Sequence, residues 1–205
     1  PETIESEGYD RTDMRLPEGM NRLVAAVAAA NPHTVVVLQC GSPVELPWEA
    51  DVAAVVYAGL GGEAGAEATV DVLEGTVNPS GKLPETWPMR ADDAPCAECW
   101  GEPHRQSQYR ESVFVGYRYY QTANVPVAHC FGHGLSYTSF AYDRLAVDAA
   151  SRTVSFDVTN AGQVAGAEVA QVYVAAPEGG LPHPRVQLAG FSRVELAPGE
   201  TRRVS

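Results

Sequence analysis

Asn78-Pro79-Ser80-Gly81-Lys82-Leu83-Pro84, read with Phe131-Gly132-His133-Gly134-Leu135-Ser136-Tyr137, decides the fold. Each heptad mixes turn formers with one cationic or imidazole side chain and ends on apolar residues. The chain carries no internal repeat and no low-complexity segment against which to discount them. They also mark a change of pattern. Upstream of residue 89 the apolar residues follow a helical period or run continuously, and downstream of residue 107 they alternate.

Upstream, Leu16-Pro17-Glu18 opens a helical pattern. Met20, Leu23, Val24, Val27 and Ala28 then recur at i, i+3, i+4, i+7 and i+8, an amphipathic stripe expected to face a core. Glu18 suits the positive start of the helix. Asn31-Pro32 should end it, because a residue before proline avoids the helical region. Thr34-Val35-Val36-Val37-Leu38 is apolar on both faces and suits a central parallel strand, a signature repeated over residues 52–58. A second helix is expected over residues 63–74. Helix, strand, strand, helix points to α/β layers.

Between residues 89 and 107 prolines, cysteines and charges occur without periodicity, which reads as a linker or extended loop. Beyond it, Val154-Ser155-Phe156-Asp157-Val158 and Val169-Ala170-Gln171-Val172-Tyr173-Val174 alternate, with the turn former Asn160-Ala161-Gly162 between them. Residues 186–196 are expected to form another strand pair. Tyr117, Tyr119 and Tyr120 read as alternating along a strand, as core or interface residues. Short strands separated by turns point to a β-sandwich.

Composition narrows the function. The chain has 205 residues, 45% of them apolar, with 14 Lys plus Arg against 26 Asp plus Glu, a formal charge of −12. So acidic a surface repels phosphate backbones and anionic membranes, so no nucleic acid and no membrane partner are expected. No apolar run reaches the roughly 18 residues of a membrane span. Pro1 in place of an initiator Met leads us to expect a fragment, with no signal peptide to read. Cys96-Ala97-Glu98-Cys99 is a C-x-x-C that would be half a zinc site or a redox pair, with His104 and His129 as conceivable further ligands. No second pair accompanies it, so a surface loop with reduced thiols is the expectation, and with it no metal and a cytoplasmic rather than secreted setting. Gly59-Leu60-Gly61-Gly62-Glu63-Ala64-Gly65 follows a strand and precedes a helix, where a dinucleotide fingerprint belongs. Its G-x-G-x-x-x-G spacing is one residue off, and no acidic residue ends a second strand about 20 residues on. No cofactor is expected.

Taken jointly, the motifs resemble the C-terminal half of glycoside hydrolase family 3, the β-glucosidase-like enzymes. Glu5-Ser6-Glu7-Gly8-Tyr9-Asp10-Arg11 resembles that family's E-S-E-G-Y/F-D-R segment. Asn31-Pro32 with the strand after it resembles N-P-x-T-V-V-V-L, and Gly41-Ser42-Pro43-Val44 with Pro47-Trp48 resembles G-S-P-V-x-x-P-W. Residues 78–84 are intact, and Val115-Gly116-Tyr117-Arg118-Tyr119-Tyr120 resembles F/V-G-Y-R-Y-Y/F. Two departures stand out: Gly61 replaces the proline of P-G-Q-E-G-G, with no glutamine after it, and Cys130 replaces an apolar or aromatic residue.

The resemblance implies an α/β part followed by an all-β part. Residues 1–90 would be the later part of an α/β/α sandwich with mostly parallel strands. Residues 91–111 would be the linker, and residues 112–205 a C-terminally truncated fibronectin type III-like β-sandwich. A (β/α) barrel of the same polypeptide would precede them. Retaining glycosidases use two carboxyl groups about 5 Å apart, a nucleophile and an acid/base whose pKa its surroundings raise. In the family the nucleophile is a barrel aspartate and the acid/base a glutamate of the sandwich domain. By motif that glutamate is Glu7, with Glu5 the runner-up, since alternate residues of an extended segment share a side. Asp10 and Arg11 are weaker candidates for sugar hydroxyls; an Asp–Arg pair fixing the loop is the plainer reading. Lys82 is expected to anchor a loop at the domain boundary, and His133 to serve loop packing. The substrate would be a terminal β-linked sugar, most simply a β-glucoside, although β-xylosidases and N-acetylglucosaminidases occur in the family. A noncatalytic scaffold or carbohydrate-binding module is the alternative reading, and oligomeric state stays open.

Overall fold

In the computed structural model, residues 11, 13–97, 108–177 and 179–205 are described. The first helix, α1 (Glu18–Ala30), stops where the proline rule places it: Asn31 has φ −143° and ψ 109°, and its side chain accepts the His33 N–H at 2.9 Å. Strands β1 (Val35–Leu38) and β2 (Ala54–Tyr57) pair in parallel, Val35 opposite Ala54 through Leu38 opposite Tyr57. Helix α2 (Gly65–Leu73) follows the glycine-rich turn. Beneath these elements Leu38, Cys40, Val44, Trp48 and Trp87 form one buried cluster, with Val24, Val36, Val55, Tyr57 and Leu83 packed against it.

The short strand β3 (Trp87–Pro88) pairs antiparallel with β4 (Val127–His129), so the first core reaches across the intervening segment. Strands β5 (Phe140–Asp148), β6 (Thr153–Asn160) and β9 (Thr201–Val204) form one sheet, in the order β5-β6-β9, and β7 (Gly166–Val174) pairs with β8 (Gln187–Leu196) in another. Alternation drives Phe156 and Val158 of β6 inward against Ala170, Val194, Leu196 and Val204. Leu196 is 2% exposed and Val158 fully buried; burying each is worth about 1.5–3 kcal/mol. The Asn160 turn is stitched by its own side chain. Nδ2 donates to the carbonyls of Val164 (2.8 Å) and Leu196 (3.0 Å), and Oδ1 accepts from Thr138 Oγ1 at 2.6 Å and the Gly162 N–H at 3.1 Å.

Three expectations are corrected. Tyr117, Tyr119 and Tyr120 lie on a helix, α3 (Tyr117–Ala123), not a strand. Gly116, at φ 54° and ψ −134°, turns the chain into it, a conformation that costs glycine little. The i, i+3 spacing then directs Tyr117 and Tyr120 inward, and tertiary packing overrides the strand preference of tyrosine. Residues 187–196 form one strand rather than a pair. The α1 stripe is only half used: Ala28 is buried and Val24 packs on the core, whereas Met20, Leu23 and Val27 are exposed. The parallel ladder among the described residues is a single pair of strands, β1 with β2, accompanied by the antiparallel β3–β4 pair.

Candidate active site

Glu5, Glu7 and Asp10 lie outside the described residues, as do Cys99 and His104. Arg11 is described, and its Nη2 donates to the Pro43 carbonyl at 2.5 Å. Three residues later the Met14 carbonyl accepts the Glu45 N–H at 2.8 Å. The turn that receives both contacts is itself pinned. Val44 is 1% exposed, and its carbonyl takes the Trp87 indole N–H at 2.7 Å. Beside this turn, burial pushes the Glu85 carboxyl above the usual carboxylate range, and the Arg11 charge pulls it back. The next residue, Thr86, is buried with no hydrogen-bond partner for its hydroxyl.

The two heptads bind each other. The Leu83 N–H donates to the His133 carbonyl (2.7 Å) and the Gly132 N–H to the Leu83 carbonyl (2.9 Å). Asn78 Oδ1 accepts from Ser136 Oγ (2.9 Å) and the Tyr137 N–H (2.8 Å), while its Nδ2 donates to the Ala165 carbonyl at 3.0 Å. Tyr137 OH reaches the Val72 carbonyl at the end of α2, 2.7 Å away. Lys82 Nζ donates to the Gly134 carbonyl at 2.8 Å and pairs with Glu168 Oε2 at 3.0 Å, both side chains no more than 15% exposed. Glu168 Oε1 accepts from Tyr142 OH at 2.9 Å. Lys82 is therefore the anchor the sequence implied. Gly134 is needed for the close approach, since a Cβ there would stand 2.2 Å from the Gly81 carbonyl oxygen.

Beside this clasp, His129 Nε2 lies 2.7 Å from Glu49 Oε1. A carboxylate only accepts, so Nε2 carries the proton. The His133 ring stacks on His129, with centroids 4.9 Å apart, and Trp87 meets His129 edge-on at 6.1 Å. Burial, then His129 and Lys82, hold the His133 pKa below its ordinary value, with Glu49 opposing. His133 thus serves packing, as read from the sequence. The tyrosines do too: Tyr117 stacks on Phe131 at 4.9 Å, and its hydroxyl accepts the Leu188 N–H at 2.8 Å.

The glycine-rich turn closes on itself. The Gly65 N–H donates to the Gly62 carbonyl at 3.3 Å, and a Cβ on Gly61 would sit 2.9 Å from the Gly65 Cα. Among the described residues no group of three or more His, Cys, Asp or Glu side chains is placed to hold a metal ion. No helix there is long and apolar enough to cross a membrane. A groove of about 590 Å³ on the β-sandwich is lined by Arg144, Asp157, Thr201 and Arg203. The sequence reading missed the Glu49–His129 pair, Glu168 as the partner of Lys82, and Pro43 as the partner of Arg11. None of them has a local signal, because 80, 86 and 32 residues separate the partners.

Comparison with known proteins bears on this arrangement. Residues 1–137 match the family described as the glycosyl hydrolase family 3 C-terminal domain, and residues 168–205 a fibronectin type III-like domain. The chain is 44% identical to the thermostable β-glucosidase B of Acetivibrio thermocellus over 211 aligned residues, covering 100% of this chain and 28% of that protein. The crystal structure of a Bifidobacterium adolescentis GH3 β-glucosidase matches with a TM-score of 0.95 at 41% identity, over 100% of this chain and 31% of that one. A Kluyveromyces marxianus β-glucosidase in complex with glucose matches with a TM-score of 0.91 at 44% identity, over 98% and 24%. The chain thus spans about a quarter to a third of the length of these relatives.

Proposed function

The chain belongs to glycoside hydrolase family 3, and from that premise we propose that it is part of a retaining, exo-acting β-glucosidase to which it contributes the general acid/base. The observation that carries this reading is the family match over residues 1–137, which includes the E-S-E-G-Y-D-R segment. Glu7 protonates the departing glycosidic oxygen, then activates water for the second step, opposite an aspartate nucleophile of a preceding barrel. The exposed Met20, Leu23 and Val27 of α1 fit a chain that packs against more of its own polypeptide. So does a two-stranded parallel ladder, since such sheets are covered on both faces. The fuller α/β/α layering, the division at residues 91–111, a carbohydrate substrate and a cytoplasmic setting belong to the same proposal.

The test compares Glu7→Gln and Glu5→Gln in the full-length enzyme on glucosides of graded leaving-group ability. A good leaving group needs little protonation, so loss of the acid should lower turnover of poor aglycones about 10²–10⁴-fold and spare activated ones. Equal, small effects from both variants would reject Glu7.

A further inference from the structure

We propose that the groove on strands β5, β6 and β9 binds a small oxyanion, a carboxylate or a phosphate, on the guanidinium groups of Arg144 and Arg203. The groove measures about 590 Å³ and is lined by those two arginines with Asp157 and Thr201. Two positive charges thus accompany one negative charge, on a chain whose formal charge is −12. Asp157 holds the arrangement together. It is 4% exposed, and its Oδ1 accepts from Arg203 Nη1 at 2.9 Å while its Oδ2 accepts from Arg144 Nη2. Arg203 is fixed twice more: Nη1 donates to the Arg144 carbonyl at 2.8 Å, and Nη2 to Ser155 Oγ at 2.7 Å. Asp143 stands opposite Asp157 in the ladder, but it turns Oδ1 to the Arg144 N–H at 2.7 Å and does not line the groove.

The backbone is bent to bring Arg144 there. Tyr142 lies on the side of the sheet that carries the core residue Phe156, their ring centroids 5.9 Å apart. Strict alternation would put Arg144 on that same inner side. Instead the register shifts between Asp143 and Ala146, and Arg144 takes φ 51°, in the region that favours glycine. A bulge re-aims a side chain, and this one delivers a guanidinium to Asp157. The unused donors point to the ligand. A guanidinium has five N–H groups and no acceptor. Among the described residues Arg144 makes one side-chain bond and Arg203 three, while both oxygens of Asp157 are engaged. What the groove still offers is donors and positive charge. Carboxylates and phosphates present paired acceptor oxygens that match such a fork. A neutral sugar also needs acceptors for its hydroxyl protons, and the carboxylate that could supply them is already taken. A long polyanion would meet the repulsion of the whole acidic chain, so the ligand is small. Both forks are held in place beforehand, which lowers the ordering cost of binding.

The site uses none of the residues assigned to hydrolysis, so turnover serves as a control. The experiment is calorimetry on the full-length protein and its Arg144→Gln and Arg203→Lys variants. Inorganic phosphate, D-glucuronate and, as the uncharged control, glucose are titrated into each. The expected result is saturable binding of at least one anion, weakened about tenfold or more in Arg144→Gln, which loses a charge and a fork. Arg203→Lys keeps the charge and loses the fork, so its loss should be smaller. Added salt should weaken the anion and leave glucose unchanged. The glucose isotherm and the turnover of an aryl β-glucoside should match the unaltered protein, since the Arg144 side chain is 71% exposed. Response to glucuronate alone assigns the site to a carboxylated sugar, and response to phosphate alone to a phosphate. Response to both supports an oxyanion site that does not discriminate. If Arg144→Gln fails to fold, Arg203→Lys decides with the same readouts. Absence of saturable heat from either anion overturns the proposal. So does anion binding that is unchanged in both arginine variants, or a loss shared equally with glucose.

Discussion

Lys82 ties the two heptads to the β-sandwich strand β7. Its ammonium is shared between the Gly134 carbonyl and Glu168, and Glu168 in turn holds the Tyr142 hydroxyl. Both members of the ion pair are largely buried, at 15% and 13% side-chain exposure, so removing one strands the other without water. Lys82→Met should therefore lower unfolding free energy by about 3 kcal/mol, far above the worth of a surface pair. Replacing both members, Lys82→Met with Glu168→Leu, should recover much of that loss, because no uncompensated charge remains. Urea denaturation of the three variants measures it; a single-variant cost below about 1 kcal/mol would mean the pair is solvated. Asp157 follows the same logic on the sandwich's own face. It is 4% exposed, and its two oxygens are taken by Arg144 and Arg203. Arg144 reaches it from an irregularity in β5, at φ 51°.

At the scale of elements, the unit that matters is the clasp between residues 78–84 and 131–137, with the His129–His133 stack beside it. Around His133 stand His129, Lys82 and Glu49, two groups that oppose its proton and one that favours it. With burial the balance is unfavourable, so the folded pKa lies below the unfolded value of about 6.5. A histidine lowered in this way binds its proton more weakly folded than unfolded. Its contribution is complete above about pH 6.5 and is lost as pH falls from there through the folded value. The thermal midpoint should therefore decline between pH 7.5 and 5.5. His133→Phe, which keeps an aromatic ring against His129, should flatten that decline. An unchanged slope in the variant would remove His133 from the account. Helix α3 shows the same dependence on packing. Three tyrosines favour a strand by propensity, yet Phe131, Tyr173 and the Leu188 N–H are met only if Tyr117 lies on a helix.

For the whole molecule, the proposed catalytic machinery is divided between this chain and a barrel of the same polypeptide. Two carboxyl groups must flank one glycosidic bond, and a chain that brings one of them has no route to a glycosyl-enzyme intermediate. Residues 1–205 expressed alone should accordingly show no turnover of aryl β-glucosides above buffer. Robust hydrolysis by this chain alone would overturn the divided site. The apolar side chains that α1 exposes are expected to lose solvent in the longer protein, which hydrogen exchange along residues 18–30 would report as added protection relative to the isolated chain.

Much of this was legible along the sequence, because the signals are local. A continuous β-branched run makes a strand in a parallel ladder, proline ends α1, alternation turns Phe156 and Val158 to one side, and Asn160-Ala161-Gly162 makes a turn whatever lies beyond it. The resemblance to a family was legible for a related reason, since a dense run of motifs in order is rare by chance. Partnership was not. That Lys82 would meet Glu168, Glu49 would meet His129, and Arg11 would meet Pro43 depended on the path of the chain between them. A charge or a carbonyl carries no mark of its distant partner, so only the tertiary structure, by closing those separations, decided what each of these side chains holds.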